Sequence, residues 1–295
     1  MFETDLAVAT ETELHAAADS LRRDGLVVAR NAVPPESIDE FRRQLCARMD
    51  PDADAGAGAA AAAAELTWTR LREQMSSQVL LRMRREAYEC PQYAGVFRSP
   101  RLLGFLRIVL DTEEPFLHPR RWIRTNAAGR DAGAQPMHQD YWFVHGDPDV
   151  YTVWVPLHDC TEGGVVLVEG SHRDGTLAVD DKAAGKGAVA QVDRDRMVEP
   201  RLALGDVVVF HSLTVHGTAP DAPALARISI DGRFQNPTSP IAMDQLFPAM
   251  ATEDGKPIAR AGASGDDVGE WSGDPDLRVD PAMPIVTPRG TVVRG

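Results

Sequence analysis

Leu204-Gly205-Asp206-Val207-Val208-Val209-Phe210-His211-Ser212-Leu213-Thr214-Val215-His216-Gly217 is the stretch on which the reading of this chain turns. Leu-Gly-Asp is a turn signal, the apolar run after it reads as a buried strand, and two histidines follow. Upstream stands His138-Gln139-Asp140. His138 and Asp140 are two apart, so on an extended segment both side chains point the same way. Two imidazoles and one carboxylate are the ligand set that holds non-haem Fe(II) on one face and leaves the other positions open. The upstream motif supplies one of each, so the third ligand must come from another strand of a folded scaffold. His211 and His216 are rivals for that place. Arg227, eleven residues after His216, is a candidate clamp for a dicarboxylate co-substrate.

Working outward, short strand-like runs alternate with turns from Pro115 on: Arg121–Thr125, Val150–Leu157, Gly164–Glu169, Val207–His211 and Arg227–Phe234. Several short strands at this spacing predict a β-sandwich or barrel. The preceding part reads as helical. Thr10 and Glu13 form a capping box for a helix over 10–24, with Leu14, Ala17, Ala18 and Leu21 on one face and Gly25 ending it. A short strand, Leu26–Ala29, follows. Pro34-Pro35 opens a helix to about Met49 that places Ile38, Phe41 and Leu45 together. Further helical patterns run from Thr67 to about Ala87 and from Pro100 to Leu110. Residues 51–64 are almost entirely Ala, Asp and Gly; the Ala run could extend a helix, but Pro51 and the glycines favour a mobile loop. The stretch from about 250 to 295 reads as an irregular tail. There is no internal repeat.

The 295 residues suffice for a sizeable core, and the composition, 43% hydrophobic and 25% charged, is that of a soluble globular protein. The net charge of -13 argues against nucleic acid or an anionic membrane as partner. It mildly favours a neutral or cationic substrate, although global charge says little about one pocket. Cys46, Cys90 and Cys160 have no CxxC spacing, which fits reduced thiols in a cytoplasm. No apolar stretch approaches the roughly 20 residues of a membrane span, and the acidic N-terminus has no signal pattern. A cytoplasmic protein, monomeric or homodimeric and acting on a small molecule, is expected.

Several stretches together resemble the phytanoyl-CoA dioxygenase-like family. They are Pro136–Asp140, Tyr151-Thr152-Val153-Trp154-Val155-Pro156-Leu157, Gly164–His172 with its Gly170-Ser171-His172 turn, Leu204–Phe210, and His216-Gly217 with Arg227. They occur in the family's order over about 115–235. The resemblance implies a mainly β protein with flanking helices: a double-stranded β-helix, the cupin-like jelly roll, behind an N-terminal helical layer. One domain would hold a helical part at about 1–114, the jelly roll at about 115–235 and the tail. The family is Fe(II)- and 2-oxoglutarate-dependent and consumes O2, so oxidation of a small metabolite, most simply its hydroxylation and with a place in natural-product biosynthesis, is the implied activity.

Carried onto this chain, the resemblance makes His138, Asp140 and His216 the iron ligands and sets Arg227 against the distal carboxylate of 2-oxoglutarate. Thr218 would donate its hydroxyl to the same carboxylate. Trp154 would lie near the co-substrate, or equally would be a core tryptophan on a sandwich strand. His172 belongs to a structural turn, and His145 and His158 read as surface or structural. Arg233 shares a strand face with Arg227 and is a rival clamp or a substrate contact; Trp142 lines the pocket or fills the core. Asp140 stands where related halogenases have a small residue, which points away from halogenation. Two alternatives are weighed: a jelly-roll metalloenzyme that does not use 2-oxoglutarate, for which Arg227 would be dispensable, and a non-catalytic binding module.

Overall fold

A computed structural model describes residues 1–50, 60–127, 134–179 and 188–242, Gln245, and three short strand fragments beyond. Its first strand, β1 (Glu3–Asp5), lies parallel to β2 (Leu26–Arg30), and α1 (Glu11–Asp24) connects them. The capping box of α1 forms as the sequence predicts, and Gly25 ends the helix in the left-handed region at φ 79°. Helices α2 (Pro35–Met49), α3 (Ala60–Glu73), α4 (Ser77–Tyr88), α5 (Gln92–Val96) and α6 (Pro100–Leu110) follow.

Two expectations need correction here. The helix expected over Thr67–Ala87 is two helices, because Ser76 adopts an extended conformation and caps α4 by accepting from the Val79 N–H. Helix α3 already begins at Ala60, inside the stretch read as a loop, since a run of alanines has high helix propensity. Residues 51–59 of that stretch lie outside the described residues, as does most of the expected C-terminal tail.

Two short strands, β3 (Phe116–Leu117) and β4 (Trp122–Asn126), precede the helical turn α7 (Tyr141–Val144). Then come β5 (Tyr151–Pro156), β6 (Val165–Val168), β7 (Met197–Val198), β8 (Val207–His211), β9 (His216–Thr218) and β10 (Arg227–Gln235). The large sheet runs β1-β2-β8-β5-β10-β3, with β4 also on β10. The small sheet runs β7-β6-β9.

Alternation along the strands sorts the side chains. Val27, Val153, Val155, Val207, Val209, Ile228, Ile230 and Phe234 pack with helical residues such as Leu21, Phe41 and Phe105 on the outer face of the large sheet. The intervening Val28, Trp154, Val208 and Phe210 pack against Val165 and Leu167 of the small sheet. Two facing sheets with helices on one outer face make the expected jelly roll. No helix among the described residues is long and apolar enough to cross a membrane.

A candidate metal centre between the two sheets

The two imidazoles are assembled by the backbone. His138 and His216 are directly paired across neighbouring strand segments: the His138 N–H donates to the His216 carbonyl at 2.8 Å, and the His216 N–H to the His138 carbonyl at 2.9 Å. Their rings lie 4.2 Å apart, as cross-strand partners should. Two residues on, Asp140 brings Oδ1 to 3.8 Å from both Nε2 atoms. All three residues are buried, and one ligand atom from each lies within 4.8 Å of the others.

Second contacts fix the tautomer. His138 Nδ1 lies 2.8 Å from the Pro136 carbonyl and His216 Nδ1 2.9 Å from the Thr214 carbonyl. A carbonyl only accepts, so each Nδ1 carries the proton and each Nε2 presents a lone pair. Burial, with the neighbouring imidazole, pushes His138 down to about 3, and burial pushes His216 down as well. Burial would raise the Asp140 carboxyl. The Arg233 charge beside it, aided by the two imidazoles and the Arg233 hydrogen bond, outweighs burial and holds it below the usual carboxylate range. The site is therefore deprotonated and ready for a cation at neutral pH. This donor set suits Fe(II) by type and by count, and no thiolate joins it. Cys160 is buried with its thiol toward the Glu162 carbonyl, and burial pushes it up to about 11.

His211 is not part of this group. It projects from the other face of β8, where its ring meets Tyr151 edge-on, its Nε2 sits 3.1 Å from Asp149 and its Nδ1 accepts the Leu213 N–H. His158 accepts the Ile228 N–H, and His172 packs against Gly25 with Nε2 at the Arg22 carbonyl.

Beside the imidazoles lies a small cavity of about 20 Å³ that opens toward solvent. His138, His216, Trp154, Thr218 and Arg227 all line it. Arg227 is buried, donates through Nε to the Gly163 carbonyl at 3.0 Å and through Nη1 to Ser229 at 2.9 Å, and lies over the Trp154 ring at 5.5 Å. Burial pushes it down only to about 10, so it stays cationic at neutral pH. The Thr218 hydroxyl accepts the Gln135 N–H at 2.8 Å, which leaves its own proton to donate.

Arg233 lies elsewhere. Arg233 grips Asp140, with Nη2 at 2.6 Å from Oδ1 and Nε at 3.2 Å from Oδ2. The strand alternation that would put Trp142 on the face of His138 and Asp140 stops at Asp140, where the chain turns helical (φ -60°, ψ -28°). Three polar contributors were not foreseen. Thr152 donates to Asp140 Oδ2 at 2.6 Å, and Arg124 and Asp231, paired at 2.8 Å, line the pocket. Asp231 was within reach of strand parity, since it shares a strand face with Arg227 and Arg233.

Against known proteins, the chain is 30% identical over 128 residues to 1-deoxypentalenic acid 11-beta-hydroxylase from Streptomyces arenae, and equally to that from Streptomyces exfoliatus. The match covers 38% of this chain and 45% of each relative, so the chain spans about half the length of the curated relatives it matches. Among solved structures, the non-heme monooxygenase ThoJ superposes with a TM-score of 0.54 at 19% identity, covering 76% of this chain and 78% of that one. The epimerase SnoN, in complex with Fe3+, alpha ketoglutarate and nogalamycin RO, gives 0.53 at 17% identity over 97% of both chains. The alpha ketoglutarate dependent carbocyclase SnoK from nogalamycin biosynthesis gives 0.52 at 17% identity, covering 82% and 89%. These likenesses establish the fold. The family model for phytanoyl-CoA dioxygenase (PhyH) matches residues 21–225, more than half of the sequence, and the chain belongs to that family.

Proposed function

We propose that this protein is an Fe(II)- and 2-oxoglutarate-dependent oxygenase that hydroxylates an unactivated C–H bond of a small natural-product metabolite. One observation carries the reading: two Nε2 lone pairs and one carboxylate oxygen converge within 4.8 Å beside a pocket that holds a buried arginine. His138, Asp140 and His216 would hold the iron, and Arg227 with Thr218 would take the distal carboxylate of 2-oxoglutarate. When bound, iron, the keto acid and O2 supply the oxidant, and succinate and CO2 leave.

The chain's own residues do the rest. Arg227 presents a planar guanidinium whose direction is set by Gly163 and Ser229, so little ordering cost remains on binding a carboxylate. The Val165 and Phe210 side chains wall the pocket and limit water around the metal. The hydroxylase relatives and the nogalamycin-pathway structures support a natural-product substrate. Asp140 fills the carboxylate position, which favours oxygen transfer over halogenation.

The test is an anaerobic optical titration with Fe(II) and 2-oxoglutarate, comparing wild type with Asp140→Ala. The expected result is a weak visible charge-transfer band that requires the keto acid and is absent from the variant. Substrate screening by succinate release follows. Iron binding without such a band overturns the co-substrate and favours a jelly-roll metalloenzyme of another kind.

A further inference from the structure

The surroundings of Asp140 limit how it can bind a metal. A carboxylate has about four lone-pair directions. Three are already taken: Arg233 Nη2 donates to Oδ1 at 2.6 Å, while Arg233 Nε at 3.2 Å and the Thr152 hydroxyl at 2.6 Å both donate to Oδ2. Oδ2 is full. The one remaining direction is on Oδ1, the oxygen that lies 3.8 Å from both imidazole Nε2 atoms. Both donors come from the large sheet, Thr152 from β5 and Arg233 from β10, which are paired at this level through Arg233↔Thr152. Arg233 and Asp140 are almost wholly buried, so water does not replace these bonds.

We propose that Arg233 and Thr152 are positioning residues that restrict Asp140 to ligation through a single oxygen. The inference rests on the iron and 2-oxoglutarate reading above. A carboxylate free to use both oxygens would occupy two positions on the metal. With the two imidazoles it would leave two, and a chelating keto acid would then fill the site and exclude O2. Saturating Oδ2 keeps the third position open. Arg233 thereby has a role toward the metal's ligand, distinct from clamping the co-substrate or touching the substrate.

The decisive variant is Thr152→Val, which keeps shape and charge and removes one donor from Oδ2. Thr152→Ser, which restores a hydroxyl, is the control. Two quantities are read under anaerobic conditions: Fe(II) affinity by chelator competition, and 2-oxoglutarate affinity of the iron-loaded protein by its charge-transfer band. The expected result for Thr152→Val is iron affinity equal to or above wild type with 2-oxoglutarate affinity down about tenfold, the scale of one lost hydrogen bond to a charged group. Thr152→Ser should match wild type. Arg233→Met should move in the same direction and further; should it fail to fold, the Thr152 pair decides alone. Unchanged 2-oxoglutarate affinity in Thr152→Val overturns the proposal, and so does a loss of iron affinity, which would mean that the hydroxyl merely places the ligand. Absence of the band from wild type strikes down the co-substrate reading instead, so the two failures are distinguishable.

Discussion

A methyl group added at Gly217 should weaken the metal centre without touching a ligand. Gly217 lies between His216 and Thr218 on β9, and a Cβ there would meet Met137 Sδ at 2.8 Å, Met137 N at 3.1 Å and the Pro136 carbonyl carbon at 3.1 Å. The sulfur can swing away, but the other two are backbone and must retreat by a few tenths of an ångström. That backbone leads directly into His138, whose position depends on hydrogen bonds of 2.8 and 2.9 Å with His216. Overpacking of this kind costs about 1–3 kcal/mol. At about 2–4 °C per kcal/mol for a chain of this size, Gly217→Ala should melt roughly 2–12 °C below wild type. Fe(II) affinity should fall with it, because the imidazoles are pushed apart. Calorimetry of the metal-free protein and anaerobic iron titration give the two numbers. Gly217→Ala combined with Met137→Ala removes the sulfur contact only and should recover part of the melting temperature but not the affinity. A variant that melts and binds iron like wild type would refute the claim that close backbone approach at Gly217 sets the imidazole spacing.

Other expectations follow from the same geometry. Arg227→Leu should weaken 2-oxoglutarate binding about 10- to 150-fold, the equivalent of losing one charge-assisted bond of about 1.5–3 kcal/mol, and a titration by the charge-transfer band checks it. Tyr93→Phe should cost about 1–3 kcal/mol in denaturant unfolding, because its hydroxyl donates to the Asp231 carbonyl at 2.7 Å and accepts the Trp122 N–H at 2.8 Å, tying β4 to β10. Burial holds His118 and His138 at about 3 and His158 at about 4, all below the ordinary 6.5. The unfolded chain binds protons first as pH falls, so this stability is complete above about 6.5 and is lost progressively toward about 3. Urea midpoints of the metal-free protein should decline through that window, and flat midpoints would contradict the burial.

Much of the site was legible because it is written in short spacings. His138 and Asp140 are two apart, and His216 follows a strand with an unmistakable turn before it. What spacing does not reveal is which face of a strand looks inward. His211 was a rival until the sheet placed it with Val207 and Val209, on the helix side. Arg233 was correctly put on the face of Arg227, yet its partner, Asp140, is 93 residues away and no local pattern marks it. Parity could not place Trp142, because it holds only while the backbone stays extended, and Asp140 already turns. The Arg124–Asp231 pair joins β4 to β10 and needs the strand pairing to be seen. The break at Ser76 was readable in principle, since serine before a helical pattern is a cap signal, but the surrounding periodicity masked it.

Strand β10 works as a ruler. Arg227, Ser229, Asp231 and Arg233 face one way, each about 7 Å beyond the last. A single inserted residue would turn all that follow it to the helical side, and two would carry the carboxylate grip of Arg233 a full step away from Asp140. Change along this strand must therefore come by substitution, never by length, while the connections around it are free to grow or shrink. Homologues that take different substrates should vary in their loops and keep the count between these two arginines.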